Sequence, residues 1–325
     1  DSNVVLNITS SDTGEATVNS PLTFTSGNWN SAQTVTVTGV NDSIIDGNIT
    51  STLTVTVNDG SSDNNFDSVA DQTVSVTTTD NDVAGFTIAQ SGGSTSVAES
   101  GTTDTFTVVL NAQPSSDVVL QFVSGDTGEA TVTSLLTFTS ANWNSAQTVT
   151  VTGVDEEFVD LNQTSTITAS IVDVSSDDNF DSVADQTVSV TTTDDDTAGF
   201  TIAQTGGSTS VNESGTTDTF TVVLNAQPAS NVVLNITSSD TGEATVTGTL
   251  TFTSGNWNSA QTVTVTGVND SIIDGNIAST LTVTVNDGNS DNNFDPVADQ
   301  TVSVTTVDND AAGFTIAQSG GSTTV

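Results

Sequence analysis

Residues 147–154 read Q-T-V-T-V-T-G-V, and the same eight letters stand at 33–40 and 261–268. Apolar and hydroxyl side chains alternate with a period of two, so an extended backbone puts the valines on one face and the threonines on the other. Both residue types are β-branched, and their backbone preference agrees with the pattern. F-T-V-V-L at 106–110 has the same character. Each run can bury one face of a strand, and no helical period appears anywhere in the chain.

Working outward from this stretch, the spacing predicts seven strands near 86–97, 103–111, 116–123, 135–139, 146–154, 164–172 and 186–193. Turn formers separate them: Ser-Gly at 100–101, Gln-Pro at 113–114, Asp-Thr-Gly at 126–128 and an Asp/Asn/Ser cluster at 173–182. Seven short alternating strands in about 110 residues indicate an all-β fold of immunoglobulin-like sandwiches.

The unit repeats. Tryptophan occurs at Trp29, Trp143 and Trp257, and A-G-F-T-I-A-Q recurs with Phe86, Phe200 and Phe314, always 114 residues apart. Residues 1–84 and 229–312 differ at nine positions, and the middle copy diverges most over 154–174. The expected organisation is therefore a repeat lacking its first two strands (1–84), complete repeats at 85–198 and 199–312, and the first strand of a further repeat at 313–325. Such a register fits a window cut from a long tandem array. The other reading is donor-strand assembly, with strand 313–325 of one copy completing the open first repeat of another.

The 325 residues include 42 Ser and 64 Thr, 40 Asp and Glu, and no Lys, Arg, His, Cys, Met or Tyr, for a formal net charge of −40. Without histidine there is no imidazole acid–base chemistry and no His metal ligand. Without cysteine there is no disulfide, thiolate–zinc site or thiol nucleophile. The lack of lysine and arginine excludes a phosphate clamp, so nucleic acid and anionic membrane surfaces are repelled. No stretch approaches the 18 apolar residues of a membrane span. Paired carboxylates could in principle hydrolyse glycosides, but that needs an aromatic-walled cleft, and aromatics are 5% of the chain. The expectation is that the protein is not an enzyme.

Strand direction alternates in an antiparallel sandwich, so the loops after the first, third and fifth strands share one pole with the end of the seventh. In the second repeat those segments carry Glu99, Asp126, Glu129, Asp155, Glu156, Glu157, Asp160, Asp194, Asp195 and Asp196. In the third they carry Glu213, Asp240, Glu243, Asp270, Asp274, Asp308 and Asp310. Like charges at this density are relieved by protons, by solvation and screening, or by a metal. Hard oxygen ligands on flexible loops suit Ca2+. A wholly solvated acidic coat is the competing reading.

The motifs V-x-E-S-G-T near 97–102, T-F-T-V-V-L at 105–110, L-T-F-T near 136–139, Q-T-V-T-V-T-G-V at 147–154 and D-N-D at a strand end together resemble the Calx-β domain, in the tandem form carried by very large bacterial surface and secreted proteins. The resemblance runs the length of the chain. It implies a seven-strand sandwich with Ca2+ at one pole. Carried over by motif, the metal ligands are Glu99 and Glu213 after the first strand. In the loop after the fifth strand they are Asp42, Asp46, Asp155, Glu156, Asp160, Asp270 and Asp274. In the terminal acidic run they are Asp80, Asp82, Asp194, Asp195, Asp196, Asp308 and Asp310. One departure stands out: the family's Gly-x-Asp-Tyr segment, whose Asp can be a ligand, has no counterpart after Glu129.

Other signals have plainer readings. The threonine rows could form an ice-binding face but read better as the solvent face of twisted strands. Asn-x-Ser/Thr triplets at Asn7, Asn41, Asn48, Asn162, Asn212, Asn235 and Asn269 could take surface glycans, and chains rich in Ser, Thr and Asn match the triplet by chance. The Gly-Gly pairs at 92–93 and 206–207 read as a bend within the first strand. Each N-W-N tryptophan reads as a packed anchor rather than a sugar platform. Function follows from repetition, because near-identical copies provide length. The expectation is a structural segment of an extracellular, cell-surface array, a stalk or filament stiffened by calcium, partnered by neighbouring repeats or by further copies of the chain. The alternative is a passive spacer in a large bacterial adhesin whose distal domain binds the target.

Overall fold

A computed structural model describes residues 2–321. The chain packs as two compact bodies. One comprises Asp1–Val97, Thr103–Thr152 and Ser165–Val190; the other comprises Ala98–Thr102, Gly153–Thr164 and Thr191–Val325. Both are built from strands and short 3-10 turns, and among the described residues no helix is long and apolar enough to cross a membrane.

The third repeat lies within the second body and shows the architecture whole. A four-stranded sheet orders Phe200–Gln204, Thr217–Leu224, Gln261–Gly267 and Ala244–Val246. A five-stranded sheet orders Thr209–Asn212, Gln300–Val307, Ile277–Val285, Val232–Ser238 and Thr249–Phe252. Alternation is what packs them. Within Gln261–Gly267, Val263 and Val265 are fully buried while Thr262, Thr264 and Thr266 are not. Phe220, Phe252, Phe294, Leu234 and Leu281 fill the space between the sheets without exposed surface. The second repeat has the same two sheets, and in the first body its core includes Phe106, Phe122, Phe138 and Phe180.

The all-β sandwich matches the expected class, with two differences in strand count. The segment expected as one strand over 86–97 is two, Phe86–Gln90 and Thr95–Ala98, separated by a 3-10 turn at Ser91–Gly93. Gly92 and Gly93 both have positive φ, the conformation glycine adopts without a Cβ clash. The break lets the chain leave one sheet and join the other: Thr209–Asn212 runs parallel to Gln300–Val307, whereas Phe200–Gln204 runs antiparallel to Thr217–Leu224. A further strand, Ala130–Val132, precedes Leu135–Phe138.

In the first repeat the counterparts of the first two strands are missing from the sheets. Among the described residues, the first repeat has a four-stranded sheet of Leu22–Phe24, Val4–Ser10, Ile49–Val57 and Gln72–Thr78 and a two-stranded one of Ala16–Val18 and Val37–Gly39. Phe66, Val69 and Trp29 are exposed there, whereas Phe180 and Phe294 at the position of Phe66 are buried. At the other end of the chain, residues 311–318 carry no regular element, and residues 322–325 of the expected further strand lie outside the described residues.

The base of each complete repeat is tied by one carboxylate. Asp177 is buried and accepts hydrogen bonds from the Ser115 N–H (2.6 Å) and Oγ–H (2.6 Å), the Ser116 N–H (3.0 Å) and the Asn179 N–H (3.0 Å). Burial alone would raise its pKa. The donors from Ser115, Asn179 and Ser116 outweigh burial and hold it below the ordinary value. Asp177→Ala strands these donors and should cost about 2–3 kcal/mol by urea denaturation.

Candidate metal centre

The acidic pole of the second repeat belongs wholly to the second body. Glu99 follows Thr95–Ala98, Glu156 and Asp160 sit in the loop after Gln147–Gly153, and Asp194 and Asp196 follow Gln186–Thr193. Single carboxylate oxygens of Glu99, Asp194 and Asp196 lie within 4.8 Å of one another, and so do those of Glu99, Glu156 and Asp160. Glu99 is therefore common to two groups. The third repeat repeats the plan around Glu213, with Asp308 and Asp310 in one group and Glu243 and Asp274 in the other. In the first repeat, which has no counterpart of Glu99, one group unites Glu15, Asp42 and Asp46.

Backbone hydrogen bonds shape each cradle. Asp194 Oδ1 accepts from the Asp196 N–H (2.8 Å) and Oδ2 from the Leu161 N–H (2.7 Å). Asp308 does the same with the N–H groups of Asp310 (2.7 Å) and Gly275 (2.8 Å), and Asp80 with those of Asp82 (2.8 Å) and Gly47 (2.9 Å). The donor at this turn has positive φ in all three repeats, and in the second it is a leucine, Leu161, at φ 66°. An L-residue with a side chain is strained there. The loop is held in shape at that cost.

The electrostatics are one-sided because the chain has no basic side chain. Glu99 has no exposed surface; Oε2 accepts a long hydrogen bond from the Asp195 N–H (3.4 Å), and Oε1 has no partner. Burial, reinforced by Asp194, Glu156 and Asp160 against the Asp195 hydrogen bond, pushes its pKa up to about 7. Burial also raises Asp160, with Asp194 adding to it, and Asp196, with Asp194 and Asp195 adding. Glu213 and Glu243 rise for the same reason. Asp308 and Asp80 go the other way, held low mainly by the N–H groups they accept. One buried oxygen each of Asp160, Asp196, Glu243 and Asp310 also has no hydrogen-bond partner.

Of the residues expected as ligands, Glu99, Glu156, Asp160, Asp194 and Asp196 converge, as do Glu213, Asp274, Asp308 and Asp310, and Asp42 with Asp46. Asp155 and Asp195 are exposed and belong to no group. Asp270 uses one oxygen to accept the Ile272 N–H (2.7 Å) and stays outside the groups. Asp80 and Asp82 line the same small cavity as Glu15, Asp42 and Asp46 without joining their group.

Glu15 and Glu243 are members of these groups that the motif carry-over left out. Both stand in D-T-G-E-A-T-V, where Asp12 and Asp240 close the turn onto the N–H of Gly14 and Gly242 (2.9 Å each). The short strand that follows pairs with the strand before the acidic loop, Ala244↔Gly267, and this places Glu243 beside Asp274. The signal available in sequence was a carboxylate at the fixed position before A-T-V in every repeat.

No family model and no curated protein matches the sequence. Solved structures similar in shape include CBD12 from CALX1.2, at 13% identity and TM-score 0.28 over 67% of this chain and 99% of that one. The calcium binding domain CBD12 of CALX1.1 matches at 14% identity and TM-score 0.26, over 61% and 79%. Domains 4–9 of the surface layer protein SbsC match at 21% identity and TM-score 0.30, over 93% of this chain and 39% of that one. This chain thus spans about two fifths of the SbsC structure's length.

Proposed function

We propose that this chain is a structural segment of an extracellular repeat array, a stalk or surface filament of Calx-β-like sandwiches stiffened by calcium. The observation that carries the reading is Glu99: a wholly buried carboxylate with an unpartnered oxygen, shared between two pairs of acids in a chain without a basic side chain. Only a proton or an external cation can compensate it. All the donors are hard oxygens on turn-rich loops, the set that suits Ca2+ rather than a softer metal. Glu99, Glu156, Asp160, Asp194 and Asp196 would hold the ion or ions in the second repeat, and Glu213, Glu243, Asp274, Asp308 and Asp310 in the third. The cation would supply charge compensation and cross-link three separate loops. Repetition supplies length, and the chemistry available to the residues is binding.

The test is thermal unfolding of the whole chain in millimolar calcium and in excess chelator, with sodium chloride at equal ionic strength as the control. Binding to the folded state alone stabilises by about 2.7 kcal/mol at a hundredfold excess over Kd. A calcium-specific rise in Tm that Glu99→Gln and Glu213→Gln diminish is the expected result. A Tm that calcium and sodium shift equally leaves the carboxylates as a solvated coat and the chain as a passive spacer.

A further inference from the structure

Asp-Gly occurs four times, at 46–47, 59–60, 274–275 and 287–288. All eight residues are exposed, so exposure does not separate one pair from another. Hydrogen bonding does. Gly47 and Gly275 have positive φ, and their N–H groups are held by Asp80 Oδ2 (2.9 Å) and Asp308 Oδ2 (2.8 Å). Their aspartates, Asp46 and Asp274, stand in the acidic groups of the pole.

The other two pairs open the 3-10 turns Asp59–Ser61 and Asp287–Asn289, at the base of the first and third repeats. Hydrogen bonding in these turns begins one residue later, where the Ser61 and Asn289 N–H groups donate to Asn58 O and Asn286 O (2.9 Å each). The glycine N–H is an orphan donor of a helical start, and among the described residues it has no acceptor. The bond that closes each turn, from the Ser62 or Ser290 N–H to the carbonyl of the aspartate, is long (3.4 Å in both). Asp287 and Gly288 are exposed although Val159 of the preceding loop is buried in the core of the same repeat. A Cβ at Gly288 would meet nothing within 4 Å, and the second repeat carries Val174 at this position, 96% exposed.

We propose that Asp59 and Asp287 are sites of spontaneous isoaspartate formation, and that the fold spares Asp46 and Asp274. The backbone nitrogen of Gly288 attacks Cγ of the protonated Asp287 carboxyl. An N–Cγ bond forms, the Cγ–OH bond breaks, and one water leaves with the N–H proton, giving a cyclic succinimide. Water then opens the ring at either carbonyl. One opening returns aspartate; the other leaves isoaspartate, whose main chain runs through Cβ and Cγ. No metal, oxidant or enzyme enters. Gly60 and Gly288 present an unbonded nitrogen with no Cβ in the way. At Gly47 and Gly275 a carboxylate holds the N–H, so the turn must open before the nitrogen can swing onto Cγ. Isomerisation lengthens the main chain just ahead of Ser290, whose Oγ accepts the Val233 N–H (3.0 Å) and donates to Val233 O (3.3 Å). It loosens the base of a repeat and leaves the acids of the pole unaltered.

The test keeps the whole chain for several weeks in warm, neutral, heavy-oxygen water. Chelator is present, so that bound calcium cannot be what protects a site. Heavy oxygen enters each time a succinimide opens, and mass spectrometry of peptic peptides locates it. Asp59 and Asp287 should gain label at least about tenfold faster than Asp46 and Asp274, which react only from a minor opened state. In unfolding urea the four sites should converge, because only the fold separates them. Gly288→Val, which the open space accommodates, should silence Asp287 and leave Asp59 unchanged. Asp308→Ala, which frees the Gly275 N–H, should raise Asp274 toward the rate of Asp287. Equal labelling at the four sites of the folded chain, no labelling at Asp287, or a difference that persists in urea overturns the proposal.

Discussion

Phe294→Ala will cost about 3–5 kcal/mol, the range for deleting a buried phenylalanine side chain from a well-packed core. Phe294 has no exposed surface and lies among Phe220, Phe252 and Leu234. Its 3-10 turn is capped by Asp291, which accepts the Asn293 N–H (3.1 Å), so the ring is presented to the core by a fixed turn. The same substitution at Phe66 should cost less than about 1 kcal/mol. Phe66 stands in the same D-N-N-F-D motif but is 45% exposed, because the strands that would cover it are not packed on the first repeat. Hydrogen exchange separates the repeats. Phe294→Ala should lower protection across Ile277–Val285, and Phe66→Ala should leave Ile49–Val57 unchanged. Equal losses in the two variants would mean that the open face of the first repeat is covered in solution.

In chelator, stability should fall as pH rises from 5 to 7.5. The sign follows from the direction of the shifts. Glu99 has a folded pKa of about 7 against an ordinary 4.5, and Asp160, Asp196, Glu213 and Glu243 are raised as well. Between the two values the folded chain binds more protons than the unfolded one, so its advantage is present at the acid end and is lost as pH climbs through the folded pKa. Asp80, Asp177 and Asp308 are held low, and their stabilisation fades only as pH falls below the ordinary 3.8, outside this window. Each 1 kcal/mol moves Tm by about 2–4 °C in domains of this size, so the trend is measurable. Calcium should reverse it, because ligands must lose their protons to bind and affinity then rises with pH. Glu99→Gln should flatten the slope in chelator. A Tm that rises with pH in chelator would show that the buried acids are compensated by something other than protons.

Much of this was legible in the letters. Alternation placed the strands because side chains on a strand point to opposite faces in turn, and the 114-residue period is read directly from the letters. Strand direction put the loops' acids at one pole, and the structure groups some of them, Glu99, Glu156, Asp160, Asp194 and Asp196 among these, and leaves Asp155, Asp195 and Asp270 out. What escaped were the short strand Ala130–Val132, the carboxylate of Glu15, and the ligand position of Glu243, which the strand directions put at the acidic pole but the motifs left out of the ligands. Three residues are too few for a period to register, and the ligand position of Glu243 depends on a pairing 23 residues away in the chain, Ala244 with Gly267. The packing of the acidic loop's apolar pair, Ile44-Ile45 or Phe158-Val159, was equally invisible, since nothing in these letters says that Ile45 packs on the second repeat's core and Val159 is buried in the third's.

The octapeptide Q-T-V-T-V-T-G-V marks where sequence stops and tertiary structure begins. At 261–268 its first seven residues form a continuous strand, Gln261–Gly267, paired with Thr217–Leu224. At 33–40 the same letters give only Val37–Gly39, paired with Ala16–Val18. The alternation determines that the segment is extended and which face is apolar. Whether its N–H and C=O groups enter a ladder depends on a neighbouring strand. Residues 217–224 supply one in the third repeat, and among the described residues no strand pairs with residues 33–36 in the first. N-D-S-I-I-D-G-N behaves the same way: at 41–48 its Ile45 packs on the second repeat's core, at 269–276 both isoleucines are exposed, and the difference lies in a second surface that no local sequence contains.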